Sequence, residues 1–167
     1  FPAGHIIQTV QHVETANPYI TSSNTNSYGS FSTAFKKGIT PKKSNSKILI
    51  TIYANIGNDE GTIHLGIFKD GSQLSGAKGD TLSSQIGSTA SYRYNSGPYS
   101  LAVNPITMVY LDSPTIPSTP IEIEYELKGT AGSSYNETFY LNRSRDDNNS
   151  NYGARTISTI TLQEIAE

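Results

Sequence analysis

From Ile121 to Lys128 apolar and polar positions alternate without a break: Ile121, Ile123, Tyr125 and Leu127 on one parity, Glu122, Glu124, Glu126 and Lys128 on the other. A period of two belongs to a strand, not a helix, and predicts one face on a core and one toward water or a partner. A second apolar-rich run, Ile106–Leu111, precedes it across Asp112, Pro114, Pro117 and Pro120. That pairing predicts two strands of a hairpin joined by a stiff, open turn. The most hydrophobic run is Ile48–Ile56, with Ile48, Ile50, Ile52, Ala54 and Ile56 in phase, and it predicts a central strand. Thr62–Phe68 reads as its antiparallel neighbour after the turn at Asn58–Gly61, and Asp70-Gly71 is a tight-turn dipeptide.

Weaker patterns fill the rest. Ile6–Glu14 reads as a first strand with little contrast between its faces, which suits an edge or an intersubunit strand. Asn17–Asn26 is polar with Pro18 and predicts a loop; Tyr28–Phe35 predicts a strand with Phe31, Thr33 and Phe35 on one face. Lys36, Lys37, Lys42 and Lys43 around Pro41 read as solvated turn charges. Ser75–Pro105 is long, polar and tyrosine-bearing, with short strands expected near Ser91–Tyr94. Glu137–Asn142 predicts a strand, Arg143–Asn151 a loop, and Arg155–Ile165 a closing strand whose apolar phase shifts between Ile157 and Ile160, which suggests a bulge. The sum is eight or nine antiparallel strands, turn signals at sandwich-like spacing, and little or no helix. That is an all-β sandwich, and 167 residues suit a single domain over 1–167.

Composition narrows the partners. A net charge of −2 gives no attraction to phosphate backbones, so no nucleic acid is expected, and no membrane insertion, since no apolar run reaches the roughly 20 residues of a span. With no cysteine there is neither a disulfide framework nor a thiol nucleophile. Stability must then come from burial or from association between copies. The chain opens on Phe1 rather than Met, and the expectation is a C-terminal piece of a longer polypeptide.

The residues that could carry chemistry are few. His5, His12 and His64 are scattered, with no metal-ligand spacing, so no metal and no cofactor are expected. No serine sits in a GxSxG elbow, and spacing neither supports nor excludes a Ser-His-Asp arrangement. Glu122, Glu124 and Glu126 stand roughly 7 Å apart along one strand face, a separation open to a glycosidase pair but accounted for by a solvated or lysine-paired outer face. Asp146, Asp147, Asn148 and Asn149 offer calcium-type oxygens without the spacing of a calcium loop. Asn136, Asn142 and Asn148 each head a glycosylation acceptor triplet. Tyr92, Arg93, Tyr94 and Tyr99, with Tyr152 and Arg155, form the set best suited to ligand contact, since Tyr and Arg supply rigid amphipathic surface. The alternative for them is packing against a neighbouring subunit or over loop backbone. Both readings are of contact, not catalysis.

Five segments in order extend these patterns: PAGHIIQTVQ (2–11), ITPKKSNSKILITI (39–52), FKDGSQL (68–74), YLDSP (110–114) and STITLQEIA (158–166). Together they resemble the C-terminal domains of tail-fibre and related virion structural proteins of tailed bacteriophages, particularly marine and cyanobacterial phages. The resemblance implies a jelly-roll β-sandwich on the virion surface, commonly a homotrimer, either as a non-enzymatic fibre head that binds a host polysaccharide or protein receptor or as a capsid decoration or joining protein whose partners are other virion proteins. It assigns no catalytic residues and no fixed receptor motif. A carbohydrate-active enzyme, resting on the glutamate ladder, is the remaining expectation.

Overall fold

A computed structural model of the chain describes residues 2–22, 27–58, 61–94, 101–132, 137–147 and 153–167, the side chains of Asn58 and Tyr94 excepted. In chain order its strands are β1 (Ile6–Glu14), β2 (Tyr19–Ser22), β3 (Gly29–Ser30), β4 (Lys36–Ile39), β5 (Lys47–Asn58), β6 (Gly61–Lys69), β7 (Ser72–Gln73), β8 (Ala90–Tyr94), β9 (Asn104–Asp112), β10 (Ile123–Ala131), β11 (Glu137–Leu141) and β12 (Ser158–Ile165). A single 3-10 turn at Ser75–Ala77 is the helical element among the described residues.

Two antiparallel sheets result. The first runs β1-β12-β5-β9, with β11 and then β2 continuing from the far end of β5. In the second, β4 and β3 flank one side of β10, β6 lies on its other side, and β8 and β7 flank β6. The pairs β1–β12, β4–β10, β5–β9 and β6–β8 are nested in the sequence, outermost with outermost and innermost with innermost. A long antiparallel ribbon folded over so that its pairs alternate between two sheets is the jelly roll.

The strict alternations become the core. Ile48, Ile50, Ile52, Ala54 and Ile56 of β5 meet Ile63, Leu65 and Ile67 of β6 and Ile123, Tyr125 and Leu127 of β10, all buried, with Phe35, Phe139, Ile160 and Leu162 in the same cluster. Each such side chain contributes roughly 2 kcal/mol on leaving water. Asp70 (φ 47) and Gly71 (φ 83) both take left-handed backbone, as a primed two-residue turn between β6 and β7 requires.

Several expectations need correction. β9 and β10 both form, yet they lie in different sheets, so 113–122 crosses between layers and is not a hairpin turn. The reason is partner choice: β9 pairs with β5 from Asn104 to Asp112, and β10 with β4 and β6. Ile121 precedes β10 and is 61% exposed, so alternation outran the strand by two residues. The expected loop at 17–26 holds β2, and Lys36 and Lys37 lie in β4 rather than in a turn. Phe31 and Phe35 are buried without the continuous strand expected between them. β12 alternates regularly, with Ser158, Ile160, Leu162 and Glu164 inward, and the irregularity sits across from it, in β1 between Ile6 and Gln8. The apparent phase shift arose because two of the inward positions are polar.

Candidate functional site

The inward parity of β6 leaves His64 pointing outward from the second sheet, between Ser91 on β8 and Thr130 on β10. Over it arches the segment from Lys78 to Thr89. Its base is tied down: Gly79 N–H donates to Ser88 O (2.9 Å), Thr89 N–H donates to Leu65 O (2.8 Å), and Ile67 N–H donates to Thr89 Oγ1 (3.2 Å). The carbonyl of Gly87 accepts from both Tyr28 OH (2.8 Å) and Gln73 Nε2 (2.9 Å). Burial pushes the Tyr28 phenol up to about 12, so it stays a donor at neutral pH. The tip closes on itself through Leu82 N–H to Gln85 Oε1 (3.2 Å) and Gln85 N–H to Leu82 O (3.2 Å). A loop braced in this way holds its shape without filling the space beneath it.

That space is a groove of about 720 Å³. Its floor is His64, Ser91 and Gly132; its wall is Asp80, Ser84, Gln85, Ile86 and Ser88. A Cβ on Gly132 would lie 2.7 Å from His64 Nε2, so a side chain there would displace the imidazole from the floor. Partial burial lowers the His64 pKa, so the imidazole is neutral at pH 7. Its Nδ1 is buried and has no hydrogen-bond partner among the described residues. A serine–histidine hydrogen bond of the nucleophile type is therefore not made at Nδ1. Asp80 Oδ1 accepts from its neighbour's N–H, Thr81 (3.0 Å). The groove thus offers hydroxyls, an amide, one carboxylate and two apolar surfaces, a set suited to a neutral, hydroxyl-rich ligand.

The residues expected from the sequence to bind ligand are dispersed. Tyr92 pairs with Ile63 and packs inward against the core; Arg93 pairs with Thr62 and is exposed. Tyr94 belongs to β8, its side chain outside the described set, and Tyr99 and Tyr152 lie outside the described residues. Arg155 belongs to the other sheet's side of the molecule, bridged to Arg143 and held by Asp147 through Nη2 to both carboxylate oxygens (2.6 Å each). Of the six, Tyr92, Arg93 and Tyr94 share β8, and Arg155 is remote from it.

Other candidate chemistry is consumed by structure. Glu124 pairs with Lys36 (2.9 Å) and Glu126 with Lys128 (3.4 Å) on the outward side of β10. Asp146 is held by Arg145 and Asp147 by Arg155 (2.6 Å), which neutralises the two acids of the calcium-type set. No group of three or more His, Asp or Glu side chains among the described residues is placed to hold a metal ion. Asn142 is fully buried, so a glycan cannot reach it in the folded chain, while Asn136 and Asn148 are outside the described residues.

No family model matches the chain, and no curated protein matches it. Among solved structures, dimeric latent PorU from Porphyromonas gingivalis gives a TM-score of 0.34 at 8% identity, over 98% of this chain and 14% of that one. A likeness that slight carries no argument about fold or function.

His64 and the serines around it went unnamed as site residues in the sequence, where each reads as an ordinary strand or loop residue. Two signals pointed toward them. His64 sits on the outward parity between Ile63 and Leu65, and the longest polar connection, Ser75–Pro105, contributes the groove's wall and Ser91.

Proposed function

We propose that this domain is a non-enzymatic binding head, carried on a virion fibre, whose groove takes a neutral saccharide of a host surface. The observation that carries the reading is the groove itself: a braced polar loop standing over a sheet face, with hydroxyl, amide and neutral imidazole groups converging on one open space. Placement on a phage fibre rests on the ordered segments from PAGHIIQTVQ to STITLQEIA described above. Binding fits the site better than hydrolysis, because Glu124 and Glu126 of the glutamate ladder are paired with lysines and His64 Nδ1 engages no serine. A shallow, hydroxyl-lined site binds weakly alone, and several copies on one fibre raise the effective affinity.

The test is glycan-array and whole-cell staining with the labelled domain, wild type against Ser91→Trp. Ser91 is an exposed strand residue, so an indole there fills the floor without touching the core. Saccharide binding and cell staining by the wild type, both lost in Ser91→Trp, are expected. Equal binding by the two proteins would reject the groove, and no staining of any susceptible host would reject the receptor-binding role.

A further inference from the structure

Between Lys47, held by Glu167 at one end of β5, and Arg143, stacked on Tyr140 of β11, the described outer face of the first sheet carries no charge. Cross-strand pairing aligns its outward side chains in three rows over β9, β5, β12 and β1: Leu111–Leu49–Gln163–Thr9, Val109–Thr51–Thr161–Gln11, and Thr107–Tyr53–Thr159–Val13. No element among the described residues covers them, since each is exposed or half-exposed, Val109 at 60% and Leu111 at 47%. The polar members tie to one another in the plane of the face, Gln11 Nε2 donating to Thr161 Oγ1 (2.8 Å) and Gln163 Nε2 to Thr9 Oγ1 (3.3 Å). The result is a flat, neutral, half-apolar surface.

Its border strand is equally unguarded. β9 pairs on one side with β5 and on the other with no strand among the described residues. Edge strands in soluble proteins are blunted by lysines, prolines or bulges. From Ile106 to Leu111 β9 has none of these; Pro105 stands at its start, and Asp112 at its end is turned inward to Lys69 Nζ (2.9 Å) and Tyr125 OH (2.8 Å). The opposite edge, β1, does carry a register irregularity between Ile6 and Gln8.

We infer that this neutral face and the β9 edge form a self-association surface, occupied by the same face of a second copy. Charge matching selects the occupant. The outer face of the second sheet carries the ion pairs Lys36–Glu124 and Lys128–Glu126, and laying it on the neutral face would strip their remaining water and supply no charged partner in its place. A second neutral face strands no charge, and its Gln and Thr groups both donate and accept. Area sets the strength. Four strands about 4.8 Å apart and three rows about 6.8 Å apart cover roughly 400 Å². A standard interface takes about 800 Å² from each partner, so this two-fold contact lies in the weak, reversible class, dissociated when dilute and formed when concentrated.

Sedimentation equilibrium of the isolated chain over roughly 1 to 500 µM, a range bracketing micromolar dissociation constants, tests this. The average mass of the wild type is expected to rise with concentration. Val109→Lys and Val13→Lys, at opposite sides of the same face, are each expected to stay monomeric with unchanged circular dichroism, while Glu122→Gln, just ahead of β10, associates like the wild type. A wild type that stays monomeric throughout, or one whose self-association survives both lysine substitutions, overturns the inference. This outcome is independent of saccharide binding, which is read on the other sheet.

Discussion

One residue, Asn142, joins four parts of the molecule. It takes left-handed backbone (φ 66) just after β11, which a side chain able to bond locally tolerates better than most. Its Nδ2 donates to Glu14 O (2.8 Å) and Ala16 O (2.9 Å), and its Oδ1 accepts from Ser158 Oγ (2.6 Å). Its own N–H donates to Asn55 O (2.9 Å), and Thr156 N–H donates to its carbonyl (2.9 Å). The ends of β1, β5, β11 and β12 are thereby held together with no apolar contact needed. Asn142→Ala strands two carbonyls and a hydroxyl in a fully buried place, and the expected loss is about 3 kcal/mol, read as a shift in the urea midpoint. Asn142→Gly removes the same side-chain bonds but relieves the backbone, so it should be less costly than alanine by roughly 1 kcal/mol. Equal losses would show that the left-handed conformation costs nothing here. A glycosylation triplet is the feature the sequence displays at this position, and burial gives the asparagine a different use.

At the scale of elements, regular alternation was a sound guide and polar substitutions within it were not. β5, β6 and the body of β10 were legible because every inward position is apolar or a buried tyrosine. β12 was misphased because Ser158 and Glu164 occupy inward positions. Glu164 is fully buried and accepts from Lys42 N–H (2.8 Å), Lys43 N–H (3.0 Å), Ser46 Oγ (2.7 Å) and Gln8 Nε2 (2.7 Å). A carboxylate there shapes the turn between β4 and β5 and binds it to β12, so the polar residue that disguised the strand also fixes its neighbour. Glu164→Gln keeps the volume but replaces one acceptor oxygen by a donor, opposing at least one of these groups. The expected cost is on the order of 2 kcal/mol, with hydrogen exchange accelerated more at the Lys42 and Lys43 amides of the turn than in β5. Uniform acceleration across the sheet would mean that the turn is not held locally. β2, β3 and β4 were missed for another reason: strands this short carry too few positions for a period to appear.

For the whole molecule, the two-layer architecture could be read from the chain, but the partition of strands between layers could not. The connection from β9 to β10 looks like a turn in sequence and is a crossing in space, since adjacency in the chain says nothing about which strand supplies the hydrogen bonds. The site was legible as a region and not as residues: a groove made by one loop over one sheet depends on pairings among β6, β8 and β10 that no local pattern encodes. Titration gives the fold and groove a common readout. The phenols of Tyr28 and Tyr125 are both raised above the usual tyrosine value, chiefly by burial. Above pH of about 10 the unfolded chain loses protons that the folded chain keeps, so stability should fall as pH rises from there. His64 acts in the other direction. Its folded pKa lies below the ordinary value near 6.5, so as pH falls past about 6.5 the unfolded chain binds a proton that the folded chain refuses. Stability should therefore decline on acidification, and the decline attributable to His64 ends once the folded pKa is passed. Urea midpoints at pH 7.5 and 5.5 should differ more for the wild type than for His64→Gln, because glutamine keeps a polar group under the loop without titrating. A variant as acid-sensitive as the wild type would assign that loss to other groups and leave the imidazole as solvated as a free one.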